Sequence, residues 1–147
     1  MMPPADDIDR IMAVMQAAFD PAFGEAWTRR QVEDALLVGN CHYRIADVLG
    51  EPAGFTLSRY GFEEEELLLI AVSPDFRRRR IGQQLLQQCK ADARMRGAKQ
   101  LLLEMRSDNP AVHLYRQAGF VQIGTRKNYY RAPDGNRLDA ITFSCPL

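Results

Sequence analysis

Apolar positions in this chain follow two rhythms, one near helical spacing and one in short strand-like runs. Ile8, Ile11, Met12, Met15 and Phe19 recur on one face, as in a helix that packs along a stripe. Asp6 or Asp7 can cap that helix and Pro21 ends it. Pro21 to Trp27 reads as a loop, and Thr28 as the N-cap of a second helix reaching Leu37. Cys41 to Leu49 and Pro52 to Arg59 read as strands joined at Leu49-Gly50-Glu51. The acidic run Glu63 to Glu66 reads as a solvated hairpin end, and Leu67 to Val72 as an apolar strand. A second helical stripe follows in Leu85, Leu86, Cys89, Ala93 and Met95, closing at Arg96-Gly97. Lys99 to Met105 is strand-like, and Asn109-Pro110 opens a short helix through Gln117. Val121 to Arg131 and Asp139 to Ser144 are two last strands around Pro133-Asp134-Gly135-Asn136. The predicted class is α/β in its mixed α+β form, a mixed sheet with helices packed on it.

At 147 residues the chain is expected to be one domain, 1–147, able to bury a single core. Its 19 basic and 19 acidic side chains cancel, which argues against a dedicated nucleic-acid binder. Cys41, Cys89 and Cys145 are far apart and odd in number, and His42 and His113 are isolated. They read as ordinary residues of a reducing compartment, and no metal site is predicted. Asp6, Asp7 and Asp9 interrupt the start before any signal-peptide core can form. No run approaches the roughly 20 apolar residues of a membrane span. The expected location is cytoplasmic.

Candidate chemistry begins at the junction between the apolar strand and the helix after it. Ser73-Pro74-Asp75-Phe76-Arg77-Arg78-Arg79-Arg80-Ile81-Gly82 is a tight turn with four arginines and a glycine. It delivers backbone N–H groups to a helix start, where unpaired donors and a partial positive charge suit a phosphate or pyrophosphate.

Pro74 to Gly82 resembles the acetyl-coenzyme A pyrophosphate loop of the GNAT N-acetyltransferases. Asn109-Pro110-Ala111-Val112-His113-Leu114-Tyr115-Arg116-Gln117-Ala118-Gly119-Phe120 is similar to that family's second signature. Within the family, four features resemble the branch that acetylates the N-terminal alanine of a ribosomal protein. They are Glu25-Ala26-Trp27-Thr28, Ile70-Ala71-Val72, Leu103-Glu104, and Arg126-Lys127-Asn128-Tyr129-Tyr130 with Asp134-Gly135 and Asp139-Ala140. The resemblance implies the GNAT fold, a central mixed and mostly antiparallel sheet flanked by helices. It also implies acetyl-coenzyme A as co-substrate and a protein N-terminus as acceptor. The sequence departs from the family pattern twice. Arg80 stands where the first loop glycine is usual, and an allowed backbone with the side chain outward is expected there. The spacing before Ala111 leaves Asn109 or Asp108 for the family's asparagine; Asn109 is favoured, since an aspartate would face a phosphorylated ligand.

The resemblance assigns roles that the chemistry can use. An amine must lose its proton before it attacks a thioester, and Glu104, after three leucines on a strand, is the expected general base. Tyr115 is the expected general acid for the departing thiolate. Ile70, Ala71 and Val72 would pair with the pantetheine arm like an added strand and offer an oxyanion donor. Arg77, Arg78, Arg79, Arg80, Ile81 and Gly82 would hold the pyrophosphate, with Asn109 nearby. Trp27, Tyr129 and Tyr130 would line the acceptor slot. Two rival readings stay open: a small-molecule amine as acceptor, and a non-catalytic acyl-coenzyme A or phosphate-binding module. A module of that kind needs neither a base nor an acid.

Overall fold

The computed structural model describes residues 5–19 and 25–147, so the loop expected from Pro21 lies largely outside the described residues. The first helix, α1 (Ala5–Ala18), starts earlier than the sequence suggests. Asp6 and Asp7 therefore lie in its first turn, where they complement the helix dipole and do not cap it. Helix α2 (Arg29–Val38) does begin at Thr28. The Thr28 hydroxyl accepts from the Gln31 N–H, the Gln31 side chain accepts from the Thr28 N–H, and left-handed Gly39 closes the helix.

Strands β1 (Cys41–Val48) and β2 (Glu51–Gly61) form a hairpin whose two loop residues, Leu49 and Gly50, both have positive φ. Strand β3 (Glu64–Val72) returns antiparallel to β2, and α3 (Ile81–Met95) carries the chain to β4 (Gln100–Arg106), parallel to β3. A short helix, α4 (Val112–Gln117), precedes the antiparallel pair β5 (Val121–Arg131) and β6 (Arg137–Pro146). The sheet order is β1-β2-β3-β4-β6-β5, and β3–β4 is its one parallel pair among the described residues. The expected mixed, mostly antiparallel sheet flanked by helices is present. No described helix is long and apolar enough to cross a membrane.

Two apolar layers hold the sheet. On one side Ile11, Val14, Met15, Val32 and Leu36 of α1 and α2 pack on Phe55, Leu57, Leu69 and Ala71. On the other, Leu86 and Cys89 of α3, Tyr115 of α4 and Ala118 just after it pack on Leu67, Leu101, Leu103 and Phe143. Leu67 and Leu69 thus face opposite layers, although residues two apart on a regular strand share a face. The cause is a bulge: Leu57 pairs with Leu69 and Ser58 with Leu67, leaving Leu68 as an extra residue.

Two expectations fail in this region. Glu65 belongs to no solvated hairpin end. It is fully buried, accepts from the Ser58 hydroxyl at 2.5 Å, and is held by the Arg96 guanidinium through two hydrogen bonds. A buried carboxylate needs such partners, because its desolvation is otherwise uncompensated. Met95, placed on the apolar stripe by spacing, is exposed at the last position of α3.

Gly54 sets how closely α3 approaches the sheet. A Cβ there would lie 2.8 Å from the Ala71 carbonyl oxygen and 2.9 Å from Leu85 Cδ1. Neither backbone nor a fully buried leucine yields easily. Gly54→Ala should therefore destabilise the protein by about 1–3 kcal/mol, the range of core overpacking. Urea denaturation checks it, and an unchanged midpoint would show that α3 can retreat at no cost.

Candidate active site

The Leu68 bulge also ends a strand pairing. Parallel pairing of β3 with β4 runs from Glu64↔Gln100 to Leu67↔Leu103 and stops. Beyond it, β3 remains paired with β2 as far as Val72. Alternate N–H and C=O groups of Leu68 to Val72 therefore point away from β2, toward a cleft between the diverging strands.

The cleft has two adjoining cavities. One, about 320 Å³, is lined by Trp27, Leu68, Ile70, Glu104 and Tyr130, among others. The other, about 350 Å³, is lined by Val72, Gly82, Arg106, Ala111 and Leu114. Both share Glu25, Ile70, Asn109 and Tyr115. A third hollow, along Phe76, Arg77, Arg78, Arg80, Ile81 and Gly82, shares Val72, Gly82 and Leu114 with the second. One track thus runs from the arginine turn to Glu104.

At the turn, Pro74–Phe76 forms one 3-10 turn and α3 starts at Ile81. Arg80 has φ 60 and ψ 21, and Arg78 also has positive φ. The loop thus holds Arg80 in the left-handed region where glycine is cheapest, a conformation disfavoured for other residues. The departure from the family pattern changes the side chain and leaves a glycine-type backbone, and the side chain is exposed as expected. Arg77, Arg78 and Arg80 line the hollow, while the Arg79 guanidinium sits 5.4 Å from the Phe76 ring centroid. A Cβ on Gly82 would meet Leu114 at 3.5 Å and Val72 at 3.7 Å, ordinary contacts. Ala71 lines none of these hollows with its side chain, which is buried against the α1–α2 layer.

Of the two asparagine alternatives, Asn109 lines both cavities, and its Oδ1 accepts from the Ala111 N–H at 2.9 Å. Asp108 is exposed and lies 3.7 Å from the Arg106 guanidinium. Tyr115 projects from α4 and is buried edge-on against Phe120, ring centroids 5.9 Å apart. Burial, aided by the Glu25 charge, pushes its phenol up to about 12, so it keeps its proton throughout the neutral range. Glu104 is held from the outer strands: Arg126 Nε lies 3.3 Å from its Oε2, and the Thr142 hydroxyl donates to the same oxygen at 3.4 Å.

The tyrosine rings stay in edge-to-face contact, centroids 5.1 Å apart, but take different environments. Pairing of β5 with β6 lapses between Arg126 and Tyr130; there Asn128 adopts positive φ and its N–H donates to Asp139 Oδ1 at 2.9 Å. The irregularity puts Tyr130 into the cavity and leaves Tyr129 exposed, under the Arg126 guanidinium at 5.2 Å. Burial raises the Tyr130 phenol, and the Glu104 charge adds to that.

Glu25 and Arg106 were not singled out from sequence as site residues. They form an ion pair at 3.3 Å beside Tyr115. Burial raises the Glu25 carboxyl, against the lowering pull of Arg106. Arg106 had a usable signal: it stands two residues after Glu104 on β4 and so shares its face. Glu25 stands in the Glu25-Ala26-Trp27-Thr28 stretch that carries part of the family likeness, which gives its carboxylate no role of its own. Among the described residues, no group of three or more His, Cys, Asp or Glu could hold a metal ion.

Comparison with known proteins bears on this geometry. Residues 39–122 match the acetyltransferase (GNAT) domain. The ribosomal protein bS18-alanine N-acetyltransferase of Escherichia coli K12 is 37% identical over 99 residues, which is 67% of this chain and 66% of that protein. Its counterpart in Haemophilus influenzae is 34% identical over 64% of each chain. The chain thus spans about two thirds of the length of the curated relatives it matches. The crystal structure of the E. coli ribosomal-protein-S18-alanine N-acetyltransferase superposes with a TM-score of 0.86 at 29% identity, covering 99% of this chain and 91% of that one. A Brucella melitensis ribosomal-protein-alanine N-acetyltransferase shares the fold, with a TM-score of 0.80 at 21% identity. With more than half its length inside the matched domain, the chain belongs to the GNAT acetyltransferase family.

Proposed function

We propose that this protein transfers the acetyl group of acetyl-coenzyme A to the α-amino group of a protein N-terminus, with an N-terminal alanine such as that of ribosomal protein bS18 as the model acceptor. The observation that carries the reading is the convergence of Glu104 from β4 and Tyr115 from α4 on one cleft continuous with the arginine turn. The pyrophosphate takes the turn, where amides from Arg78 to Gly82 and the arginine side chains offer positive charge. The pantetheine arm follows the open edge of β3 past Val72, Ala71 and Ile70, whose backbone can pair with its amides.

The acceptor arrives as an ammonium ion and leaves as an amide, so it gives up two protons. Glu104 takes the first, freeing the lone pair. Nitrogen attacks the thioester carbon, a C–N bond forms, and the C–S bond breaks. The sulfur takes a proton from the Tyr115 phenol. The second amine proton restores the phenol through solvent, and Glu104 returns its own to water. Trp27 and Tyr130, which line the Glu104 cavity, face the acceptor.

Three outcomes follow from this arrangement. Gly82→Asp places a carboxylate at the start of α3 and should weaken acetyl-coenzyme A binding by about 1 kcal/mol, roughly five-fold. Gly82→Ala, which meets only ordinary contacts, should bind as the wild type does. Equal calorimetric affinities for all three would remove the turn from the cofactor site.

Glu104→Gln and Tyr115→Phe should each lower turnover by about 10²–10⁴-fold while sparing cofactor affinity. Since the Tyr115 phenol ionises only near 12, it is protonated from pH 6 to 10, and the Tyr115→Phe deficit should be the same factor across that range. A deficit that vanishes toward pH 9 would contradict the acid role.

Tyr130→Ala should cost peptide turnover more than Tyr129→Ala, with acetyl-coenzyme A affinity unchanged in both. Released thiol, measured with N-terminal alanine peptides and with free amines, reads both the variants and the acceptor class. Better turnover of a free amine, unaffected by Tyr130→Ala, would favour a small-molecule acceptor.

A further inference from the structure

Acetyl transfer through Glu104 and Tyr115 leaves one carboxylate of the cleft without a task. Glu25 lines the cavity that holds Glu104 and Tyr130, and equally the one that holds Val72 and Gly82. Glu104 lines only the first of these two. A group common to both halves stands where acceptor and acyl donor meet. Its side chain is 29% exposed, so it is open to a ligand and partly withdrawn from bulk water.

The charges around it are uneven. Arg106 lies 3.3 Å from Glu25 and also 3.7 Å from Asp108, so two carboxylates share that guanidinium. Glu104 has Arg126 at 3.3 Å. Among these described groups the carboxylates exceed the guanidiniums by one. Burial raises the Glu25 carboxyl, and its charge reaches the phenols of Tyr115, which lines both cavities, and Tyr130, which lines the first. An entering ammonium group offsets that excess, with most effect at Glu25 and Glu104, whose side chains are only 29% and 21% exposed.

We propose that Glu25 docks the acceptor's α-ammonium group at the junction of the two cavities and holds it there until Glu104 takes its proton. The inference rests on the N-terminal acetylation reading above and adds a division of labour, in which one carboxylate holds the amine and the other deprotonates it. It carries a consequence for turnover. The acetylated N-terminus is neutral, so the product loses this anchor at the moment it forms.

The test uses a peptide that the wild-type enzyme acetylates, together with its N-acetylated form. Each is titrated calorimetrically into the enzyme–coenzyme A complex, where no acetyl group is available and no turnover occurs. Wild type should bind the free-amine peptide about ten-fold more tightly than the acetylated one, a difference of about 1.4 kcal/mol. Glu25→Gln should bring the two affinities within about two-fold by weakening the amine form alone, and should raise the acceptor KM about ten-fold with kcat and acetyl-coenzyme A affinity retained. An amine preference that survives Glu25→Gln overturns the proposal. So does an equal loss for both peptides, which would make Glu25 a structural partner of Arg106, or a fall in kcat at unchanged KM, which would make it the base. Failure of the peptide reading shows separately, as wild type turning over a free small amine and no peptide. The same comparison on that amine and its acetylated form then judges Glu25 by the same criteria.

Discussion

One extra residue, Leu68, is the constraint on which the rest of the molecule depends. By sitting unpaired in β3 it rotates the strand, so that Leu67 serves the α3–α4 layer and Leu69 the α1–α2 layer. A strand without the bulge would send both leucines to one layer and change which side chains of β3 each layer receives. The same rotation carries β3 away from β4 after Leu67↔Leu103. The cleft is therefore a consequence of how the core is filled, and core packing holds open the unpaired backbone of Leu68 to Val72.

Helices and strands were legible because their signals are local. Thr28 with Gln31, the Leu49-Gly50 turn and the α3 stripe each announce themselves within a few residues. The arginine turn and the Asn109 to Phe120 segment were legible as motifs, and the structure places Glu104, Tyr115, Asn109, Trp27 and Tyr130 around one cleft. What stayed hidden depends on pairing across distance. The Leu68 bulge shows only against β2, because Leu67 to Val72 reads as one uninterrupted apolar run. Glu65 read as solvent-facing since its neighbours are acidic, yet burial of that site is set by Arg96, 31 residues away. Tyr129 and Tyr130 are adjacent in sequence with their rings in contact, and which of them lines the cavity depends on the register break against β6, where Asn128 N–H meets Asp139.

The Glu65 cluster shows how the fold holds charge inside. Ser58 from β2 and Arg96 from the end of α3 close on one carboxylate of β3, so three elements meet at a single polar point. Such a point rewards one arrangement of helix and sheet and penalises its neighbours, since a shift of α3 would leave the carboxylate buried without its cation. Apolar packing alone tolerates sliding; a bidentate ion pair does not.

The irregular course of β5 has a consequence beyond aiming Tyr130. This strand ends the sheet, and an exposed edge of unpaired N–H and C=O groups invites another chain to add itself. Here the register breaks between Gln122 and Gly124 and again between Arg126 and Tyr130, so no long stretch of the edge keeps the even spacing a foreign strand requires. Exposed Arg126, Lys127 and Arg131 add like charge that a second copy would have to meet. Distortion that shapes the cleft on one side thus makes this edge of the sheet a poor template for a second copy on the other.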